Sequence, residues 1–143
     1  YGLKPSDLEI ELTESMAYEE MGTLLTVMHR IKEAGFGLSM DDFGSGYSSL
    51  SLLREMPVDV LKLDKGFLDG CNNNANADRD KRIIYHIISM AKDLEITVLA
   101  EGVETEQQKE FLKESNCDII QGYYYAKPMP TERFATYLNC VSA

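Results

Sequence analysis

Short apolar runs that end on an acidic or amide side chain recur along this chain, and segments with helical spacing separate them. The five runs are 10–14, 38–42, 60–64, 98–101 and 119–121. A strand with a polar side chain at its carboxyl end, followed by a helix, is the repeating unit of (β/α) barrels, whose active sites lie at that end of the strands. The pattern therefore predicts an α/β fold with a parallel sheet and right-handed crossovers.

The number of these units is too small for a closed barrel. The chain has 143 residues, whereas a complete barrel of eight units needs roughly 250. We therefore expect a partial TIM-like (β/α) barrel of about five βα units, with open edges covered by the missing barrel half, a second copy of the chain or another protein. The chain starts with Tyr1 and not with Met, which agrees with a missing upstream half.

Apolar spacing and capping residues place the helices between the strands. Residues three and four positions apart form apolar stripes that predict helices over 18–34, 50–56, 79–94 and 106–114, and a last helix from Thr131. Gly35 is expected just after the first helix, and Thr105 is the expected N-cap of the fourth. The fifth strand is expected to continue beyond Gln121 to Tyr125. The Asn-rich segment 70–77 is expected to be mobile and to carry no chemistry.

The charge of the chain limits its partners. There are 14 Lys and Arg against 24 Asp and Glu, so the net charge is −10. An acidic surface disfavours binding to a nucleic acid polymer or an anionic membrane. A small phosphate ligand is not excluded, because bound metal ions reverse the local sign of a carboxylate cluster. No run reaches the ~18 apolar residues of a membrane span. We expect a cytoplasmic segment without membrane contact, although absent regions could anchor a parent protein.

Neither the cysteines nor the histidines form a recognisable site. Cys71, Cys117 and Cys140 are odd in number and widely spaced, which indicates reduced thiols and not a zinc site or a disulfide framework. His29 and His86 both lie in predicted helices and are expected on their flanks. Any acid–base chemistry should therefore come from carboxylates, lysine or water on a metal ion.

Asp41 and Asp42 are the sharpest local signal. Adjacent residues of a strand point to opposite faces, so at a strand end one carboxylate can face the barrel mouth and the other the adjoining loop. Such a pair can bridge or flank two divalent ions, and Mg²⁺ and Mn²⁺ prefer the oxygen ligands that it offers. The alternative interpretation is a pair of aspartates that caps a helix or stabilises a turn.

Lys62 lies in the third predicted strand between two leucines. An inward lysine in a barrel needs a carboxylate partner. It either forms a structural ion pair with Glu101 or Glu104 or orients a nucleophilic water.

Other polar residues at strand ends have two interpretations each. Glu11 and Glu14 end the first strand, and either could instead cap the following helix. Gln121 could hold a strand end in place or contact a substrate, and one ring of the tyrosines at 123–125 could stack on a nucleobase.

Taken together, these segments resemble a known family. They are Glu-Leu-Thr-Glu-Ser at 11–15, Asp-Asp-Phe-Gly-Ser-Gly-Tyr-Ser-Ser-Leu at 41–50, Pro-Val-Asp-Val-Leu-Lys-Leu-Asp at 57–64, Ala-Glu-Gly-Val-Glu-Thr at 100–105 and Gln-Gly-Tyr-Tyr-Tyr-Ala-Lys-Pro at 121–128. In order and over nearly the whole chain, they resemble the C-terminal part of EAL domains, the bacterial phosphodiesterases of cyclic di-GMP. The name-giving Glu-Ala-Leu segment and the following Asn ligand, both metal-binding in the family, are absent.

The resemblance implies a role for each matching residue and two divalent cations, Mg²⁺ or Mn²⁺, as cofactors. Two ions supply hydroxide near neutral pH and stabilise the attacking and leaving oxygens, so no histidine is required. The product would be linear pGpG. The implied roles are metal binding by Glu11, Asp41, Asp42 and Glu101; catalysis by Lys62, which would hold the attacking water, with support from Glu104; substrate binding by Gln121 and Ser45; and bracing of the loop 42–49, which couples dimerisation to the metal site, by Glu14.

Two functional hypotheses follow for residues 1–143 as the C-terminal part of such a domain. In the first, the chain is a fragment of an active cyclic di-GMP phosphodiesterase and is inactive alone, because the absent strands carry two metal ligands. In the second, it is a non-catalytic module that senses the nucleotide or binds a partner protein. A homodimer or the missing N-terminal half would complete the sheet in either case.

Overall fold

A parallel sheet of five strands forms the centre of the molecule. The computed structural model describes residues 2–13, 21–44, 50–70 and 77–141. All strands are parallel, and they are adjacent in the order of the chain. They are β1 (Glu9–Thr13), β2 (Gly37–Phe43), β3 (Val60–Leu63), β4 (Thr97–Ala100) and β5 (Ile119–Ile120). The predicted partial (β/α) barrel with five parallel strands is confirmed.

Helices follow the strands as the spacing predicted, with one addition. None of the described helices is long and apolar enough to cross a membrane. The addition is the helix Lys65–Gly70, whose only apolar side chains, Phe67 and Leu68, are adjacent and so show no helical spacing. After a short 3₁₀ helix (Pro5–Asp7), the helices are α1 (Met21–Glu33), α2 (Leu50–Glu55), α3 (Lys65–Gly70), α4 (Ala77–Asp93), α5 (Glu106–Glu114) and α6 (Thr131–Val141).

The two faces of the sheet differ in chemistry because successive residues of a strand point to opposite sides. One face is aliphatic and packs under the helices. Its fully buried strand residues are Leu38, Met40, Leu61, Leu63, Val98 and Ala100, and they meet Met28, Leu53, Leu68, Ile84, Ile88 and Leu112 from five helices. The alternate positions carry Glu11, Asp41 and Lys62. The hydrophobic core therefore lies on one side of the sheet and the polar site on the other.

Three helices end in the same hydrogen-bonded motif. The residues after α1, α4 and α5 are Gly35, Glu95 and Asn116, with φ of 89°, 60° and 57°. Each donates its N–H to the carbonyl three residues earlier, and the following N–H reaches the carbonyl five residues earlier. This is the Schellman motif, which needs a left-handed residue after the helix. The prediction for Gly35 is confirmed, and two side-chain-bearing residues adopt the same conformation.

The N-cap prediction for α5 is also confirmed. Thr105 Oγ1 accepts the N–H of Gln108 at 3.2 Å, and Gln108 Oε1 accepts the N–H of Thr105 at 3.0 Å. These reciprocal bonds form a capping box, which satisfies two backbone donors that the helix leaves unpaired. They set the start of α5 directly after the segment that carries Glu101 and Glu104.

Two ion pairs repeat at the amino ends of the strands. Lys32 Nζ lies 2.5 Å from Asp59, and Lys92 Nζ lies 2.6 Å from Asp118. Each aspartate precedes one strand and also accepts a backbone N–H from the start of the neighbouring strand, at 2.9 Å for β2 and 3.0 Å for β4. The two aspartates therefore tie adjacent βα units together at the end of the sheet opposite the predicted active site.

The fifth strand is shorter than predicted. It ends at Ile120, and residues 122–125 form a turn and not a continuation of the strand. Gly122 lies against the backbone of Val103, where a Cβ would stand 2.1 Å from the carbonyl oxygen. The N–H of Tyr124 donates to that same oxygen at 2.9 Å. Glycine allows this close approach, so the chain bends back onto the loop after β4.

The described sheet has two unpaired edges, β1 and β5, as the count of units predicted. Leu8 and Ile10 at one edge and Ile119 at the other are between 37% and 48% exposed. Exposed parallel edges with apolar side chains favour association with further strands.

Candidate functional site

The carboxyl end of β2 contains a bulge at the two aspartates. Met40 pairs with Leu61 and Phe43 pairs with Leu63, so β2 holds one residue more than β3 over this stretch. Asp42 has φ of 56°, and its N–H donates to Asp41 Oδ1 at 3.0 Å. A bulge bends the strand and changes the direction of its side chains. Regular alternation thus places Asp41 on the polar face, whereas the backbone at Asp42 is set by the bulge.

Lys62 lies at the centre of a carboxylate cluster. Its Nζ is 2.9 Å from Glu11 Oε1, 2.9 Å from Glu101 Oε1 and 3.1 Å from Asp41 Oδ1, and its side chain is 9% exposed. An ammonium has three hydrogen-bond donors, so each can serve one carboxylate. The predicted ion pair with Glu101 is confirmed. The other predicted partner, Glu104, pairs elsewhere.

The protonation state of Lys62 follows from these contacts. Burial lowers the pKa of Lys62, but hydrogen bonds to Glu11, Glu101 and Asp41 outweigh it and hold the pKa above the ordinary value for lysine. The side chain is therefore an ammonium at neutral pH. It can donate hydrogen bonds to anionic oxygens, but it cannot accept a proton.

The donor set of this cluster fits a hard cation. Glu11, Asp41 and Glu101 offer only oxygen ligands, which Mg²⁺ and Mn²⁺ prefer, and they carry three negative charges against one positive charge. Within 2–13, 21–44, 50–70 and 77–141, no group of three or more His, Cys, Asp or Glu side chains is arranged to hold a metal ion. The carboxylates are gathered around Lys62 instead.

Glu104 forms an ion pair outside this cluster. Its Oε1 lies 2.7 Å from Lys65 Nζ, and both side chains are about half exposed. The hydrogen bond to Glu104 raises the pKa of Lys65. The aliphatic part of Lys65 lies over Gly102, where a Cβ would stand 2.6 Å from two of its carbons. Lys65 therefore connects the segment after β3 to the segment after β4, beside the carboxylate cluster.

The remaining predicted site residues are separate from Lys62 or outside the described part of the chain. Gln121 is exposed and lines a cavity of about 390 Å³ together with Tyr123 and Lys127. The ammonium of Lys127 lies 5.4 Å from the centre of the Tyr123 ring. Glu14 and Ser45, like most of the Asn-rich segment, lie outside the described residues.

Two residues near the site were not singled out from the sequence. Lys65 directly follows the motif that contains Lys62, so its place at a strand end was the available signal. Ser39 precedes Asp41 by two positions and is fully buried, and its Oγ has no hydrogen-bond partner among the described residues. Its spacing from Asp41 places it on the polar face of the sheet, which an alternation count could have revealed.

The chain matches a family model and curated relatives along most of its length. The family model for the EAL domain matches residues 1–128. Cyclic di-GMP phosphodiesterase NbdA of Pseudomonas aeruginosa is 41% identical over 96% of this chain. The chain spans only 17% of the length of NbdA.

Solved structures show the same fold. The structure of PaMucR phosphodiesterase in complex with c-di-GMP superposes with a TM-score of 0.84 at 39% identity, covering 92% of this chain and 52% of that one. The manganese and cy-diGMP complex of BlrP1 from Klebsiella pneumoniae has a TM-score of 0.81 at 32% identity, covering 89% and 32%. This chain is therefore about half the length of the PaMucR structure that it matches. On the family match and these likenesses, the chain belongs to the EAL domain family.

Proposed function

We propose that this chain carries part of the active site of a cytoplasmic phosphodiesterase that hydrolyses cyclic di-GMP to linear pGpG in bacterial second-messenger signalling. The observation that carries the proposal is the convergence on Lys62 of Glu11 in the middle of β1, Asp41 near the end of β2 and Glu101 just after β4. The cluster thus lies toward the carboxyl end of the sheet. That is the end of a (β/α) barrel where chemistry takes place. The name of NbdA and the c-di-GMP complex of PaMucR support the choice of substrate.

Two divalent cations, Mg²⁺ or Mn²⁺, are the cofactors that this donor set suits. Glu11, Asp41, Asp42 and Glu101 would hold them, and the manganese complex of BlrP1 supports the choice of a divalent cation. When bound, such ions would activate water for attack and neutralise negative charge on the phosphodiester.

The other roles follow from the protonation of the site. Because the pKa of Lys62 is raised, its Nζ donates hydrogen bonds and orients the attacking water or a phosphate oxygen. The ammonium does not take up the proton of that water, since it has no free electron pair. Glu104 acts through Lys65, which it holds over the loop after β4. Gln121 contacts the substrate, and the proposal assigns the same role to Ser45 and loop bracing to Glu14.

The isolated chain is proposed to be inactive. It spans about half of the PaMucR structure, and both edges of its described sheet are unpaired. A homodimer or an upstream barrel half would therefore have to complete the cation site and the sheet.

A product assay tests this proposal. The purified chain, and a chimaera that joins it to the upstream half of the PaMucR domain, are incubated with cyclic di-GMP and Mn²⁺, and products are separated by chromatography. We expect pGpG from the chimaera alone. Asp41→Ala should abolish it, whereas Asp118→Ala, which removes a carboxylate at the opposite end of the sheet, should keep it. A folded chimaera that leaves cyclic di-GMP intact would contradict the proposal.

A second candidate is a non-catalytic module that binds the nucleotide or a partner protein. The observation that favours it is that Lys62 occupies the centre of the three carboxylates, so the described cluster is already neutralised in part. Calorimetry with cyclic di-GMP separates the two candidates. Binding by the chimaera without Mn²⁺ and without turnover supports the module, and turnover that depends on Mn²⁺ supports the enzyme.

A further inference from the structure

Gly44, which follows the bulge at Asp41 and Asp42, lies directly against the ring of Phe67 in α3. A Cβ at Gly44 would stand 1.5 Å from Phe67 Cε2 and 2.1 Å from Cζ. The residue also has φ of 95°, which favours glycine on conformational grounds alone. The end of β2 and the ring from α3 therefore meet at a point where no side chain fits between them.

A backbone hydrogen bond and packing on the core fix the position of Phe67. Its N–H donates to the carbonyl of Asp64 at 3.1 Å, which ties it to the end of β3. The next residue, Leu68, is completely buried in the core, and the Phe67 ring packs against that core. The ring therefore has a fixed position, four residues after the end of β3.

The bulge residue lies between two such anchors. On one side, Lys62 holds the carboxylate of Asp41 at 3.1 Å. On the other side, Phe43 is buried in the core and Gly44 lies on the Phe67 ring. Asp42 has a left-handed backbone between them, a conformation that aspartate adopts more readily than most residues with a Cβ. The contacts on both sides therefore determine where the left-handed residue lies.

We propose that Phe67 is a positioning residue that maintains the bulge of β2 through its contact with Gly44 and so sets the direction of the Asp41 and Asp42 carboxylates. Without the ring, the backbone at 42–44 gains freedom, and β2 can relax toward the regular register. A shift of one residue would turn a side chain to the other face of the sheet. The part of this inference that concerns cations rests on the proposed function, and the part that concerns the bulge does not.

Hydrogen exchange in the metal-free chain tests the bulge directly. Phe67→Ala is compared with Phe111→Ala, which truncates a half-buried phenylalanine packed on the same core from α5. In Phe67→Ala, we expect hydrogen exchange of the peptide 38–44 to accelerate about tenfold more than exchange of α4. In Phe111→Ala, we expect exchange of these two segments to accelerate equally. Equal acceleration of both peptides in Phe67→Ala would overturn the inference.

A double-mutant cycle keeps the inference testable if Phe67→Ala folds poorly. The strain of a methyl group at φ of 95° is present in both arms of the cycle and cancels, so the cycle reports the contact between residues 44 and 67. We expect Gly44→Ala to destabilise the chain less in the Phe67→Ala background than in the wild type. Additive effects would overturn the proposed contact.

Mn²⁺ affinity then separates this inference from the proposed function. In the PaMucR chimaera, we expect Phe67→Ala to weaken Mn²⁺ binding at least tenfold and Phe111→Ala to leave it unchanged. Faster exchange at 38–44 with unchanged Mn²⁺ binding would support the role of Phe67 in the bulge and contradict the assignment of these aspartates as ligands.

Discussion

Lys62 Nζ in β3 lies 2.9 Å from Glu11 Oε1 in β1, although β2 separates the two strands. The lysine side chain crosses the intervening strand on the polar face of the sheet, and it also contacts Asp41 of that strand. One side chain therefore joins three neighbouring strands, and Glu101 extends the contact to the end of β4. The cluster is a structural junction as well as a candidate active site.

Removing this cation should destabilise the chain strongly even without metal. Lys62→Met would leave Glu11, Asp41 and Glu101 facing one another without this counter-charge. Because these carboxylates are between 21% and 53% exposed, solvent screens part of their repulsion, and we expect a loss of about 1.5–3 kcal/mol from the lost hydrogen bonds between charged groups. Lys92→Met is the control, because its pair with Asp118 is about one third exposed and should contribute less than about 1 kcal/mol. Urea unfolding in the presence of a chelator measures both variants. Equal losses would show that the cluster has no special role in stability.

Ser39 should be a position where removing a hydroxyl stabilises the fold. Its Oγ is buried without a hydrogen-bond partner among the described residues, and such an atom costs about 1–3 kcal/mol. We expect Ser39→Ala to raise the free energy of unfolding by about 1 kcal/mol. Thr105→Ala, which deletes a hydroxyl that caps α5, should lower it by a similar amount. A destabilised Ser39→Ala variant would indicate an unseen partner for the hydroxyl.

The two helix ends without glycine should tolerate glycine better than their present residues. Glu95 and Asn116 have φ near 60°, where a residue with a Cβ is strained and glycine is not. We expect Glu95→Gly to raise the melting temperature, with a gain of about 0.5–1 kcal/mol. Gly35→Ala at the equivalent position after α1 should show a loss of similar size. A loss of stability in Glu95→Gly, or a gain in Gly35→Ala, would contradict the shared motif.

The ion pair at Asp118 should lose its contribution in acid. Partial burial raises the pKa of this carboxyl, but the hydrogen bonds from Lys92 and from the N–H of Val98 outweigh it and hold the pKa below its usual range. A lowered carboxyl pKa contributes stability that is present above the unfolded value of about 3.9 and is lost as the pH falls through the folded value.

Asp118→Asn isolates this contribution. The variant should be less stable than the wild type at pH 7, by less than about 1 kcal/mol because solvent screens the pair. The difference should shrink as the pH falls below about 4. Urea titrations at several pH values measure it, and a difference independent of pH would rule out the charge of Asp118 as its cause.

Much of the fold could be predicted because its signals are local. The apolar stripe of α4 and the runs of β2, β3 and β4 each lie within one segment, and Thr105 and Gly35 mark helix ends by short-range hydrogen bonds. Helix α3 escaped prediction because its only apolar side chains, Phe67 and Leu68, are adjacent and do not have helical spacing. The fifth strand was extended too far because the contact that stops it, Gly122 on Val103, joins segments that are not adjacent in sequence.

The members of the candidate site were predictable to a similar degree, but their arrangement was not. Polar residues at predicted strand ends were the candidates for the site, and they included Glu11, Asp41 and Glu101. The ion pair of Lys62 with Glu101 was among the alternatives. The pairing of Glu104 with Lys65 was not foreseen. Nor did the alternation of β2 reveal the bulge at Asp42, because a regular strand and a bulged strand can have the same apolar pattern.

The sequence by itself determined the order and type of most elements, the parallel sheet with unpaired edges and the family to which the chain belongs. These depend on residue type and spacing along one segment, where hydrophobic burial and backbone geometry act locally. Only the tertiary structure decided that Lys62 stands among three carboxylates, that Phe67 presses on Gly44 and that Asp42 takes a left-handed backbone. Each of these depends on register between strands and on packing between elements far apart in the chain, and spacing along the sequence does not encode such distances.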